Sequence, residues 1–240
     1  FLEPKLNQTS KYVELTLKRK SNTFASVAAD TNQAAVANAL ESMGLYKSMY
    51  DSVLSQNLAG ARAAFASFSG DFFGTIANRI AVSALDLRDQ LSADAMAAAE
   101  GPSVWTMVDA GTKTGFSPHY RSGVSLARNG FSAAVMTGYV PYQRLAAGGE
   151  GNASVATHFV GGTFGYNADG WSLSMGAGMA RHEVQANRRI AVGDFADGSQ
   201  ARYSSSTRQL FAGASYSFQM SGLYITPFVS GTRLAISGSR

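Results

Sequence analysis

The feature that constrains this chain most is the segment 171–180, in which large apolar and very small side chains alternate with a period of two. One face carries Trp171, Leu173, Met175, Ala177 and Met179, and the other carries Ser172, Ser174, Gly176, Gly178 and Ala180. This alternation predicts a β-strand. A soluble sandwich would cover the face opposite its core with Lys, Glu and Thr, whereas here that face is small and uncharged. The pattern is typical of an outer-membrane barrel, whose large apolar residues face lipid and whose small or polar residues line the lumen.

Six further segments predict strands of the same antiparallel sheet. The alternation is clear in residues 131–140 and 210–218, whereas residues 155–166 and 223–236 are apolar on both faces. Turn signals at Asn129-Gly130, Asp169-Gly170 and Ser221-Gly222 separate the runs, and we predict a longer polar loop from Glu183 to Gln200. The seven strands begin near Ser103, Arg121, Gly130, Ser154, Gly170, Ala201 and Gly222.

The alternation also assigns side chains to the two faces of the sheet. The lipid-facing residues are expected to include Trp171, Leu173, Met175, Phe131, Val135, Leu210 and Phe218. The lumen-facing residues are expected to include Ser172, Ser174, Gly176, Gly178, Gly213 and Ser215. Such small lumen residues leave room for something inside the barrel.

The composition agrees with a β-sheet in a membrane, and it excludes a helical membrane protein, a disulfide framework and a thiolate metal site. Only 15% of the 240 residues are charged, against about a quarter in a soluble domain. The apolar runs are far shorter than the roughly 18–20 residues of a membrane-spanning helix. Since the chain has no cysteine, it forms neither disulfides nor thiolate metal sites.

Residues 1–100 follow a different pattern, dominated by helical periodicity after one short strand. Alternation in residues 12–18 predicts the strand. Asp30 and Gly44 are placed to begin and end one helix, and Asn57 and Gly70 bracket a later one. The first of these helices is expected to share one apolar face among Val36, Ala39, Leu40 and Met43.

The longest helical pattern spans residues 72–99. It aligns five residues at three- and four-residue steps: Ile76, Ile80, Ala84, Leu87 and Leu91. Because its other sides are small and mixed in polarity, this helix suits a polar tunnel better than an apolar core. The chain therefore divides into a strand-bearing segment 1–30, a helical linker 31–104 and a β-barrel segment 105–240.

Several segments together resemble the C-terminal region of type V autotransporters of Gram-negative bacteria. Residues 24–40 are similar to the junction between passenger and linker, and residues 64–71 resemble a helix turn of that linker, with Asp71 in place of the usual Glu. Residues 170–173, 199–203 and 223–229 look like successive barrel strands in their usual order. Each motif alone is weak, but their order and spacing extend over most of the chain.

This resemblance implies a twelve-stranded outer-membrane barrel with the helix of residues 72–99 threaded through it. It implies export of an N-terminal passenger to the cell surface, without enzymatic activity or a cofactor. The implied partners are outer-membrane lipid, the chain's own passenger, the outer-membrane barrel assembly machinery and periplasmic chaperones. Two departures stand out, because only seven strands are visible and the sequence ends at Arg240 rather than at an aromatic residue. We therefore expect a fragment.

Other functions are weaker predictions. A porin-like or ligand-binding barrel and a soluble sandwich or calycin-like barrel stay open as alternatives, whereas no Ser–His spacing supports a hydrolase. No catalytic, cofactor or metal site is predicted, since none of the three histidines, His119, His158 and His182, has a partner at metal-ligand spacing. The resemblance also raises self-cleavage of a passenger by lumen residues, but no convincing acid and Asn pair is found for it, and only Asp86, Asp89 and Asp94 on the helix keep it open. The net charge of +4 is scattered, which argues against nucleic-acid binding.

Overall fold

The computed structural model describes residues 1–96, 100–109, 119–147 and 151–238, with the side chains of 94–96, 109, 119 and 143–147 left out. Four helices and the eleven strands occupy these bounds in chain order: β1 Leu2–Gln8, β2 Val13–Arg19, a 3₁₀ turn Phe24–Val27, α1 Thr31–Met43, α2 Ser48–Leu54, α3 Leu58–Phe68, α4 Asp71–Met96, β3 Gly101–Asp109, β4 His119–Arg128, β5 Phe131–Ala147, β6 Gly151–Ala168, β7 Trp171–Val192, β8 Phe195–Tyr216, β9 Phe218–Met220, β10 Leu223–Ile225 and β11 Phe228–Gly238.

Seven strands form one antiparallel sheet, in the order β11-β8-β7-β6-β5-β4-β3. Two of its hairpins turn through residue pairs that both have positive φ, Asn129-Gly130 at 52° and 80° and Asp169-Gly170 at 54° and 80°. Such turns match the right-handed twist of the strands that they join. The predicted mainly-β class, with an antiparallel sheet that follows a helical segment, is confirmed. Closure into twelve strands stays a prediction.

The predicted polar loop from Glu183 to Gln200 is wrong, because both adjoining strands continue through it. β7 extends to Val192, β8 begins at Phe195, and the turn between them consists of Gly193 and Asp194. Arginines and aspartates in this stretch resemble loop composition. Backbone pairing between strands does not require apolar side chains, however, so a polar hairpin can extend from the sheet.

The predicted seventh strand, starting near Gly222, is wrong in its first part. Residues 223–225 instead pair with β9 in a separate two-stranded hairpin, and the sheet strand β11 begins only at Phe228. Pro227 separates the two strands, because it has no backbone N–H to donate to a ladder. Its carbonyl still accepts a hydrogen bond from Tyr216 N at 3.2 Å.

The chain folds into two compact units. The first comprises Phe1–Gly74, Ala147–Gly151 and Asn187–Gln200, and the second comprises Thr75–Ala146, Asn152–Ala186 and Ala201–Arg240. The predicted division at residues 30 and 104 gives consecutive segments of the chain. The two units are instead defined by contacts in space, and each combines three segments.

In the first unit, helix caps lie where the sequence predicts them. The Asp30 carboxylate accepts from Gln33 N at 2.8 Å, and the Asn57 side chain accepts from Gly60 N at 2.8 Å. Gly44 ends α1 with a φ of 75°. The predicted buried face of α1 is partly wrong, because Ala37 and Leu40 are buried whereas Met43 is exposed.

The N-terminal 30 residues contain two strands rather than the single predicted one. β1 pairs with β2 in an antiparallel hairpin, with Pro4 opposite Leu17 and Leu6 opposite Leu15. Pro4 weakens the strand signal of this segment, but an edge strand tolerates proline because one side of it needs no hydrogen-bond donor.

Arg19 joins this hairpin to the helices of the same unit. Its Nη2 donates to both oxygens of Glu41, at 2.9 and 3.2 Å, and its Nε donates to the Tyr50 hydroxyl at 3.3 Å. The guanidinium lies 4.9 Å from the ring centre of Phe24. Burial opposes the charged form, but the hydrogen bonds and the nearby carboxylate outweigh it, so the pKa of Arg19 is raised.

The turn glycines give a matched test of this fold. Gly170 and Gly222 both have φ near 80° (80° and 84°), and an alanine Cβ at Gly170 would lie 2.7 Å from Ser217 O, whereas the space around Gly222 is open. We expect Gly222→Ala to cost about 1–2 kcal/mol for its left-handed backbone, and Gly170→Ala to cost more. Urea unfolding followed by Trp fluorescence measures both values. Equal midpoints for the two variants would contradict the turn geometry.

Candidate functional site

The second unit contains a helix packed on one face of the sheet. Leu87 and Leu91 of α4 are buried in a cluster with strand residues of the inner face: Met136, Val140, Phe159, Ala180 and Phe211. Trp105 packs against the same cluster. The helix therefore covers the inner face with apolar contacts, and burial of such residues stabilises each by about 1.5–3 kcal/mol.

All five residues predicted on the apolar face of the pore helix are buried. They are Ile76, Ile80, Ala84, Leu87 and Leu91, none more than 7% exposed. Their spacing follows the helical period of 3.6 residues, so they form one stripe along α4. The helix runs from Asp71 to Met96, and residues 97–99 of the predicted helix lie outside the described residues.

A cleft of about 210 Å³ with a mixed polar and apolar lining lies alongside the helix, and it brings together four of the six predicted lumen residues. The helix contributes Arg88, Asp89 and Ser92. The strands contribute Ser172, Ser174, Gly213, Ser215, Ser230 and Thr232, among others. At one edge, Arg88 Nη1 donates to Thr232 Oγ1 at 3.0 Å and connects α4 to β11. Phe211, Phe228 and Val229 also line the cleft, so its walls combine small polar residues with large apolar ones.

The other two predicted lumen residues, Gly176 and Gly178, serve different contacts. A Cβ at Gly178 would lie 3.3 Å from Leu91 Cδ1, and one at Gly161 would lie 2.9 Å from both Leu91 methyl groups. At Gly176, by contrast, the Cβ would meet the Phe211 ring at 2.5 Å. Gly161 and Gly178 thus let the helix approach the sheet, whereas Gly176 makes room for an aromatic ring of the neighbouring strand.

Several large inner-face residues were not predicted from the sequence. Met136, Phe159 and Phe211 are buried on the inner face, although we expected that face to be small or polar. The face on which they lie is predicted by the sequence, since Met136 and Phe211 alternate with Val135 and Leu210. Alternation does not predict that these inner-face side chains are large, because their size depends on the contact with Leu87 and Leu91 of the helix.

The seven residues predicted to face lipid all lie exposed. Their exposed fractions range from 37% to 59%, and the set comprises Trp171, Leu173, Met175, Phe131, Val135, Leu210 and Phe218. Six belong to the seven-stranded sheet and Phe218 to β9. A contiguous apolar face of this kind marks a surface that binds another apolar phase or partner. Contact with lipid stays a prediction.

Aromatic residues cluster at the strand ends next to the tight turns. The ring centres of Phe131 and Tyr166 are 4.7 Å apart, those of Trp171 and Tyr216 are 4.9 Å apart, and Phe218 lies 6.2 Å from Tyr216. Aromatic girdles at the boundary between hydrocarbon and water are typical of outer-membrane strands.

The histidines occupy separate environments. His182 is buried between two hydroxyls, with Thr157 Oγ1 2.9 Å from its Nδ1 and Thr207 Oγ1 3.1 Å from its Nε2. His158 stacks on Tyr139 at 4.4 Å, and the side chain of His119 lies outside the described residues, as does that of Asp94. Within the described ranges, no three His, Asp or Glu residues form a group that could hold a metal ion. Nor does any described helix combine the length and apolarity needed to cross a membrane.

A sheet with an apolar outer face, aromatic rings near its tight turns and a helix on its inner face is an arrangement typical of the class of outer-membrane β-barrels. Residues 89–238, more than half of the chain, match the model of the Autotransporter beta-domain family, so the chain belongs to that family. Such β domains are outer-membrane barrels of type V secretion in Gram-negative bacteria, and they act as translocators rather than catalytic domains.

A solved structure, the β domain of the Bordetella autotransporter BrkA, is similar to this chain at 20% sequence identity with a TM-score of 0.41. The match covers 59% of this chain and 55% of the Bordetella chain, so this sequence spans about half of that domain. No curated protein matches the sequence.

The contact between α4 and the sheet can be tested with neighbouring glycines. Gly161→Ala drives a methyl group toward Leu91 and to 3.2 Å from Ala177 O, whereas at Gly162 the nearest atom is 3.5 Å away. We expect Gly161→Ala to lower the free energy of unfolding by about 1–3 kcal/mol and Gly162→Ala to change it by less than about 0.5 kcal/mol. Denaturation of the detergent-solubilised protein measures both.

Leu91→Ala supplies the control for this test. It should cost about 2–5 kcal/mol alone, but the double variant with Gly161→Ala should cost less than the sum, because the smaller side chain admits the new methyl group. Strict additivity would mean that the two residues do not touch.

Proposed function

We propose that this chain is the translocator of an autotransporter, which exports a passenger joined to its own N-terminus across the outer membrane to the cell surface. The observation that carries the proposal is the packing of α4 on the inner face of a sheet whose outer face is apolar. A helix on the inner face of the barrel is where the last translocated segment of the chain, the linker, would lie after export.

The two ends of the strands support an orientation for this export. Outer-membrane barrels carry short turns on the periplasmic side and longer connections outside. Here the turns at Asn129-Gly130 and Asp169-Gly170 are short, with two residues each. We place these turns on the periplasmic side and the opposite strand ends, which include the β7–β8 turn at Gly193-Asp194, on the cell-surface side.

The proposed mechanism requires positions and polarity rather than reactive groups. Glycines of the inner face accommodate the pore helix, apolar residues of the outer face hold the barrel in lipid, and folding of the exported segment outside supplies direction. Residues 1–30 would form the end of the passenger, 31–104 the linker with its pore helix, and 105–240 the barrel. Assembly would require the outer-membrane barrel assembly machinery and periplasmic chaperones. No catalytic role is proposed.

A porin-like or ligand-binding barrel is not favoured. Leu87 and Leu91 fill the inner face together with Met136, Phe159 and Phe211, so the helix occupies the space that a solute channel would need.

A charge on the outer face tests the membrane assignment. Met175 is 55% exposed in the middle of the apolar segment of β7. An arginine facing lipid costs about 2–4 kcal/mol at the bilayer midplane, so Met175→Arg should lower the folded fraction in the outer membrane about tenfold or more. Met175→Ala, which keeps the same position apolar, should leave that fraction nearly unchanged.

Two measurements on the same cells check this. The folded fraction is the share of outer-membrane protein whose gel mobility changes on boiling, and export is the binding of an antibody to an N-terminal epitope on intact cells. Equal display by Met175→Arg and Met175→Ala would contradict a lipid-facing sheet. Absence of display from the unsubstituted chain would contradict export.

A further inference from the structure

We infer that the tip of the β7–β8 hairpin (residues 187–200, the hairpin tip) is a retention site for the exported helical segment (residues 24–74), with Arg188 as its principal contact. The inference rests on the proposed export function and adds a means by which the chain is kept outside. It follows from contacts inside the first unit, which contains both the hairpin tip and the helical segment.

Arg188 binds the end of a helix. Its Nη2 donates to Ser67 O at 2.5 Å and to Ser69 O at 2.6 Å, where α3 ends. The last carbonyls of a helix have no partner within it and carry the negative end of the helix dipole, so a cation stabilises them. Hydrogen bonds that involve a charged donor are stronger than neutral ones. The guanidinium also lies 5.9 Å from the ring centre of Phe73.

Apolar residues of the hairpin tip complete the core of the helical segment. Val192 is buried in one cluster with Phe24, Val53 and Phe65, and Ile190 packs against that cluster. Phe195 lies with its ring centre 5.7 Å from that of Phe68. A core that includes Val192 cannot be completed by residues 24–74 alone.

These contacts have a consequence for export. The hairpin tip is covalently continuous with two sheet strands and is therefore anchored with the barrel, whereas the helical segment would reach it only after passing through. Docking then stabilises the exported position of the segment and opposes its return. Because the docked residues come from positions more than 100 residues apart, folding of the segment depends on prior formation of the β7–β8 hairpin.

Neighbouring arginines provide the matched variants for a test. Arg188 binds the helix end, whereas Arg189, the next residue, is exposed. In the full chain, purified in detergent, we expect Arg188→Ala to speed protease cleavage within residues 24–74 about tenfold, because cleavage follows the population of the undocked segment. Arg189→Ala should be cleaved at the original rate. Equal rates for the two variants would overturn the inference.

A cross-link tests the same docking without removing the arginine. The chain has no cysteine, so Phe68→Cys with Phe195→Cys introduces a single pair of thiols across the contact. The control pair, Leu58→Cys with Phe195→Cys, moves one thiol ten residues along α3, about 15 Å away. We expect oxidation or a short bifunctional thiol reagent to join the first pair at least tenfold faster than the control, and equal rates would overturn the docking.

The failure of this inference is distinguishable from the failure of the proposed function. Heat-dependent gel mobility reports the barrel, and an N-terminal epitope on intact cells reports export. If the unsubstituted chain displays no epitope, both the proposed export function and the inferred retention site are contradicted. If the unsubstituted chain does display the epitope, but Arg188→Ala and Arg189→Ala display it equally and resist protease equally within residues 24–74, only the inferred retention site is contradicted. A selective loss of display and protection in Arg188→Ala supports it.

Discussion

The packing of Leu87 and Leu91 against the inner face of the sheet is the interaction on which the rest of this structure depends. A sheet that turns large apolar residues outward has no core of its own, because those residues are satisfied only by an apolar surrounding such as lipid. The helix supplies what the inner face lacks. Its apolar stripe contacts Met136, Phe159 and Phe211, and the glycines at 161 and 178 let it come close.

The polar groups of the inner side are arranged around that contact. His182 is buried between Thr157 and Thr207. Each of its two ring nitrogens forms a hydrogen bond with one of these hydroxyls, so no polar atom of the buried ring lacks a partner. Arg88 reaches Thr232 at the edge of the cleft. The helix thus has one apolar side packed on the sheet and another side that carries Arg88 and Asp89 into the cleft.

Local signals explain why much of the fold could be predicted. Alternation identified the sheet strands, Asp30 and Asn57 identified helix starts, and the turn pairs such as Asp169-Gly170 identified hairpins, because each of these effects depends on residues within a few positions. The errors arose where distant partners decide the structure. The charged residues of the β7–β8 hairpin predict a loop, because they carry no information about whether a second strand lies alongside. The sequence does not predict β1, because that strand depends on pairing with β2.

The sequence by itself determined the period of each segment and the chemistry of its faces, since both follow from which side chains recur every second or every third to fourth residue. That was enough for an antiparallel sheet with an apolar outer face and a helix of residues 72–99, of which the described part ends at Met96. Tertiary structure decided which residues meet: Leu91 with Gly161, Arg188 with the end of α3, and Val192 with a core more than 100 residues earlier. Such contacts depend on how strands are ordered and how far hairpins extend, and no local pattern encodes those distances.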